Sequence, residues 1–275
     1  MILAVVSKKG GVGKTTTAVS LGAALAGHGK RVLLVDLDPQ ASASLCLGVE
    51  RAGLAPSVAD VLLAGTPLAE ALRATATERL DLLTASADLL RCERELAPRR
   101  DRDRLLRQRL RPAVEGRYDH VLIDAPAGLS LLTVAALVAS DAFLVPATPD
   151  FLALEGLDNL LQAVERIAFR NQVRLPCLGI ALTLVDHRTR LGREVSENIR
   201  TTHGRTVFST EVRANVRVAE APAYGRTIFD YDPRCRATSD YRLLAVEIEL
   251  RAARLAAAAA TPPTGRPIWL RGLAG

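Results

Sequence analysis

The stretch Ile2-Leu3-Ala4-Val5-Val6-Ser7-Lys8-Lys9-Gly10-Gly11-Val12-Gly13-Lys14-Thr15-Thr16 decides how the rest of the chain is read. Five apolar residues make a short buried strand, and from Thr15 to Ala26 the apolar residues recur at helical spacing. A glycine-rich turn between a strand and the helix it opens is a phosphate loop. Gly10, Gly11, Val12 and Gly13 let the backbone wrap closely and aim its N–H groups inward. The helix N-terminus beyond adds the positive end of its dipole. Lys14 then reaches the β- and γ-phosphates of a nucleotide, the Thr15 hydroxyl serves Mg²⁺, and Thr16 sits near the α-phosphate.

Two further apolar runs end in carboxylates. Val32-Leu33-Leu34-Val35 leads into Asp36-Leu37-Asp38, and Val121-Leu122-Ile123 leads into Asp124-Ala125-Pro126. Carboxylates at the C-terminal ends of parallel strands lie on the side where α/β sheets bind ligands. Beside a phosphate loop, Asp124 reads as the residue that holds Mg²⁺ through water. Asp36 reads as support for the metal and its water shell. Asp38 is placed to orient an attacking water. Thr15, Asp38 and Asp124 thus form the metal side of the expected site.

Elsewhere, Leu80–Leu83, Ala142–Val145, Leu178–Leu184 and Thr206–Phe208 read as strands. Residues 87–97, 101–110, 131–138, 152–167, 191–201 and 239–260 read as helices. The strands are continuously apolar, as in parallel sheets covered on both faces. Their alternation with helices predicts a doubly wound, mostly parallel α/β sheet with helices on both faces, a P-loop NTPase fold. Residues 1–260 are expected to form one domain. The stretch 261–275 reads as a loose tail, because Pro262, Pro263 and Pro267 exclude a helix; it carries Trp269.

Of 275 residues 49% are hydrophobic, which excludes disorder throughout. No apolar run is long enough to span a membrane, and a cytoplasmic protein is expected. Cys46, Cys92, Cys177 and Cys235 are far apart and read as reduced, buried thiols. The net charge of +6 points weakly to a polyanionic partner. The basic residues are nearly all arginine, yet three of the four lysines, Lys8, Lys9 and Lys14, fall in the loop. Lysine is a compact point charge that arginine does not reproduce, so a local chemical need is implied. The run Arg99–Arg111 reads either as a solvated helix face or as a basic contact surface.

The loop lacks the first glycine of the GxxxxGK[ST] form and fits KGGxxK[ST] instead. In this it resembles the ParA/MinD superfamily. The resemblance narrows downstream to ParA/Soj. Pro146–Leu157 is similar to that family's PxxPExxALEGL segment, Asp186–Gly192 to its DxRTxLG segment, and Asn215–Gly225 to its NVRLxEAPxxG segment. It covers about residues 1–255. Two departures stand out: Ala127 replaces a proline after Asp124, and Arg213 stands where PRNVR has its proline.

The resemblance implies an ATPase using ATP and Mg²⁺. In the family, the lysine at the position of Lys9 crosses a sandwich dimer to the other subunit's nucleotide, and the aspartate at Asp38 is catalytic. Arg188 and Arg217, both expected in polar connections after apolar runs, align with arginines that bind DNA without sequence preference. The implied partners are a second copy with ATP, nucleoid DNA, and a ParB-like or cargo-adaptor protein that stimulates hydrolysis. The implied task is the partition or positioning of a chromosome, plasmid or protein cargo. The alternative is a MinD-like membrane-surface regulator, but the helix ending near Leu255 makes a poor membrane anchor.

Overall fold

The computed structural model describes residues 1–150 and 153–260, with side chains described to residue 258. Seven strands form one sheet: β1 (Ile2–Val5), β2 (Val32–Asp36), β3 (Leu72–Ala74), β4 (Leu80–Leu83), β5 (His120–Asp124), β6 (Ala142–Ala147) and β7 (Cys177–Leu182). Their order is β3-β4-β2-β5-β1-β6-β7, and every pairing except β3 with β4 is parallel.

The helices are α1 (Lys14–Gly27), α2 (Ser42–Cys46), α3 (Val58–Leu63), α4 (Leu68–Ala71), α5 (Leu89–Leu96) and α6 (Leu105–Val114). After β5 come α7 (Leu131–Ala139), α8 (Ala153–Asn171), α9 (Arg190–His203), α10 (Val216–Glu220), α11 (Ile228–Tyr231) and α12 (Arg236–Ala260).

Although the strands are apolar throughout, their residues serve two cores in alternation. Ile2, Ala4, Leu33, Val35, Val121 and Ile123 face one apolar layer, where α3 and α5 to α9 pack. Leu3, Val5, Val32, Leu34 and Leu122 face the other, under α1 and α12. Period-two side-chain direction with apolar residues on both faces is the signature of a sheet covered on both sides.

Four details differ from the sequence expectations. Residues 204–206 form a 3-10 turn, with only an isolated bridge from Val207 to Ile180. Residues 101–104 are turns, so the arginine-rich helix begins at Leu105. Arg217 lies within α10 rather than in a connection. The four cysteines are free, but only Cys92 is fully buried. The stretch 261–275 expected as a loose tail, Trp269 included, lies outside the described residues.

Candidate nucleotide site

The site is built at the C-terminal ends of three neighbouring strands. Because β5 lies between β1 and β2, Val5 aligns with Asp124 and Asp124 with Asp36. The loop after β1 therefore lies beside Asp124 of the adjacent strand, with Asp36 one strand further on. Gly11 (φ 80°) and Gly13 (φ 73°) take the left-handed conformation that turns the loop into α1. Side chains there meet strain that glycine avoids. Thr183, just past β7, donates its hydroxyl to the Val12 carbonyl at 2.8 Å and holds the loop from the far side.

Lys14 is buried, and its Nζ lies 2.8 Å from Asp124 Oδ1 and 3.9 Å from Asp38 Oδ2. Asp124 is wholly buried, and its Oδ2 has no hydrogen-bond partner. Burial pushes its carboxyl above the usual range, while the Lys14 ammonium and the Thr15 hydroxyl oppose that shift. Asp36 is also fully buried; it accepts from the Ser44 amide and hydroxyl, each at 2.8 Å, and from the Asp38 amide at 3.2 Å. Its carboxyl is pushed up to about 7, by burial first and by the Asp124 charge second.

A cleft of about 440 Å³ runs along the loop. Lys9, Gly10, Gly11, Gly13, Lys14, Thr15, Thr16 and Asp38 line one side, and Thr183, Leu184, Val212, Arg213, Asn215 and Val218 the other. Of the sequence-identified residues, Val12, Asp36 and Asp124 are buried and do not line the cleft. Lys9 stands at the mouth, 63% exposed, with its Nζ 3.0 Å from Asp150.

Ser44, Asp150 and Thr183 were not foreseen. They meet the loop and its carboxylates only through the fold; Asp150 lies in the Pro146–Leu157 segment, but nothing there shows that it meets Lys9. Cys46 also lines the cleft; burial and the nearby carboxylates push its thiol up to about 11, so it is neutral at physiological pH. Arg213, standing for the family's proline, gives its N–H to Asp240 of α12 at 3.1 Å, a bond a proline cannot make. Its guanidinium clamps the same carboxylate.

Arg188 and Arg217 lie on neighbouring segments at this end of the molecule. Val185 bridges Arg213, which brings the 183–189 connection beside the start of α10. Arg188 is 89% exposed and pairs with Asp186. Arg217 pairs with Glu220 and Asp232.

The observed donors suit a magnesium nucleotide. Asp124 keeps a buried, unused carboxylate oxygen beside a lysine and a threonine at the base of the glycine-rich loop. Among the described residues no group of three or more His, Cys, Asp or Glu is arranged to hold a metal.

Fold and site together define a P-loop ATPase of the ParA/MinD type. The AAA domain family model matches residues 1–176. The sporulation initiation inhibitor protein Soj of Bacillus subtilis is 42% identical over 247 residues, 90% of this chain and 97% of that protein. The chromosome partitioning protein ParA of Caulobacter vibrioides is 41% identical, covering 90% of this chain and 93% of its own. Cobyrinic acid a,c-diamide synthase from Mycobacterium smegmatis with bound ADP and magnesium superposes with a TM-score of 0.79. It is 32% identical, over 97% of this chain and 99% of that one. The cell division ATPase MinD of Pyrococcus furiosus gives 0.76 at 25% identity, over 90% and 98%. The chain belongs to the ParA/Soj family of partition ATPases.

Proposed function

We propose that this ATPase is a nucleotide switch that closes into an ATP-sandwich dimer, coats nucleoid DNA without sequence preference and leaves it on hydrolysis. The observation that carries the reading is the Lys14–Asp124–Asp38 cluster directly beneath the loop. Lys14 holds the phosphates after exchanging its carboxylate partners for them. Thr15 and Asp124 would hold the metal, and Asp36 fixes the Asp38 segment and α2 behind it. Asp38, at the cleft wall, orients the attacking water. Mg²⁺ when bound supplies charge neutralisation between the β- and γ-phosphates. The exposure of Lys9 at the mouth suits a side chain that serves the facing subunit's nucleotide.

A ParB-like or cargo-adaptor protein is the proposed stimulator of hydrolysis, and a chromosome, plasmid or protein body the proposed cargo. Among the described residues no helix is long and apolar enough to cross a membrane. Arg188 and Arg217 are proposed to contact DNA phosphates, each leaving its present carboxylate to do so. The test is a salt titration of ATP-dependent binding to an arbitrary duplex. The log–log slope should be roughly −0.9 per phosphate neutralised. Reversing both arginines to Glu should flatten it by about four contacts per dimer. An unchanged slope moves the DNA surface elsewhere, and ATP-dependent pelleting with anionic liposomes without DNA binding favours the MinD-like alternative.

A further inference from the structure

The last helix carries an apolar stripe on its outer side. α12 packs on the sheet through Tyr241, Leu244, Ala245, Ile248 and Ala252, all buried. On its solvent side Leu243 is 59% exposed, Val246 43% and Leu250 56%, and Ala253 is exposed as well. Their spacing of three, four and three residues is that of a coiled-coil seam, with Leu243 and Leu250 at the first apolar position of each heptad and Val246 and Ala253 at the second.

The flanking charges distinguish possible occupants. Arg242 and Glu249 border one side of the seam, Glu247 and Arg254 the other. In a parallel pair each flanking residue meets the one five positions on in the other helix. Arg242 then meets Glu247 of the second copy, and Glu249 meets Arg254 of the second copy. Both contacts join opposite charges. An antiparallel pair that sets Val246 against Leu250 brings Glu247 near Glu247 and Glu249 near Glu249, which repel. The two carboxylates are anchored, Glu247 by the Ser209 and Thr210 amides and Glu249 by His28 and Lys30, so they flank the seam at fixed places. Carboxylates on both sides also disfavour an anionic membrane surface.

We propose that the outward face of α12 is a parallel self-association seam for a second copy of this chain. It is distinct from the nucleotide face and needs no nucleotide. Four seam side chains per copy bury far less than the roughly 1,200–2,000 Å² of a stable interface. The contact is therefore weak, with a dissociation constant on the order of 10–500 µM, and tells most where molecules are crowded on a common support.

Sedimentation equilibrium of the nucleotide-free full chain across that range tests it. The parent should show a monomer–dimer equilibrium. Leu243→Ser with Leu250→Ser, and separately Arg242→Glu with Arg254→Glu, should raise the dissociation constant roughly tenfold or more. Unchanged ATP turnover reports that these variants fold. As an independent readout, Leu250→Cys should form a disulfide dimer on mild oxidation beyond the background of the parent's own cysteines, since equivalent seam positions meet only in the parallel pair. A parent that stays monomeric overturns the proposal. So do variants that dimerise like the parent, a Leu250→Cys protein that does not cross-link, or seam-dependent flotation with anionic vesicles in place of dimerisation. Because no nucleotide is present, none of these failures bears on the proposed switch.

Discussion

At the residue scale the proposed roles divide the site into groups that would hold phosphate and groups that would act on water, and substitutions separate them. Lys14→Ala removes the buried ammonium that faces Asp124, so nucleotide affinity should fall by at least a hundredfold, on the order of the roughly 3 kcal/mol that a charge-assisted bond in a buried site carries. Asp38→Ala leaves every phosphate-holding group in place and should bind ATP near normally while turnover falls roughly a hundredfold or more. Lys9→Ala should keep monomer affinity and lose the ATP-dependent dimer. Equilibrium nucleotide binding, phosphate release and sedimentation on the three proteins check these outcomes together. An Asp38→Ala protein with parental turnover excludes Asp38 as the water-orienting group, and an ATP dimer formed by Lys9→Ala excludes the cross-subunit role. The loop and the acidic residues could be read from sequence because each sits a fixed step from an apolar strand. Asp150 could not, since it meets Lys9 across 141 residues of chain. Ser44 could not either, because a serine on a five-residue helix has no local pattern to mark it.

At the element scale, Gly48 and Gly225 cross where the segment after α2 meets the segment after α10. A Cβ on Gly225 would lie 2.7 Å from the Gly48 Cα, and Gly225 holds a φ of +61°. Gly225→Ala should therefore cost about 2–5 kcal/mol, combining a left-handed penalty of about 1–2 with an overpacking cost of about 1–3. Chemical denaturation should show the loss, and a parental midpoint would mean that the two segments separate freely. The long helices and most central strands were legible because burial on one or two faces imposes a period over many residues. β3 was not, because its three residues are partly exposed at the sheet edge and show no run. The helices α2, α3, α4, α10 and α11 span four to six residues each, too short for helical spacing to declare itself.

At the scale of the whole molecule, His120 makes stability depend on pH. It opens β5, is 8% exposed, and its Nδ1 is buried without a partner. Burial first, and the N-terminal ammonium second, push its pKa down to about 4 from the ordinary 6.5. The unfolded chain therefore binds a proton that the folded one refuses between those values. The contribution is present in full above pH 6.5 and is lost as pH falls toward 4, reaching up to about 3 kcal/mol. Thermal melts of the parent and His120→Leu between pH 7 and 4.5 should show a steeper acid loss in the parent, and parallel curves would assign the acid sensitivity elsewhere. The strand order could not be read from sequence, because apolar runs reveal that strands exist but not which neighbour each one chooses. That order has a consequence for how the molecule is made. As the chain leaves the ribosome, β1 and its loop emerge first and β2 soon after, yet the two never touch, since the place between them belongs to β5. The early half can offer only a gap where its central strand belongs, and the loop waits for the carboxylate at position 124. Synthesis thus passes through a long interval in which this protein has a phosphate loop without the carboxylate of Asp124, and the strand that fills the gap between β1 and β2 is the same one that brings that carboxylate to the site.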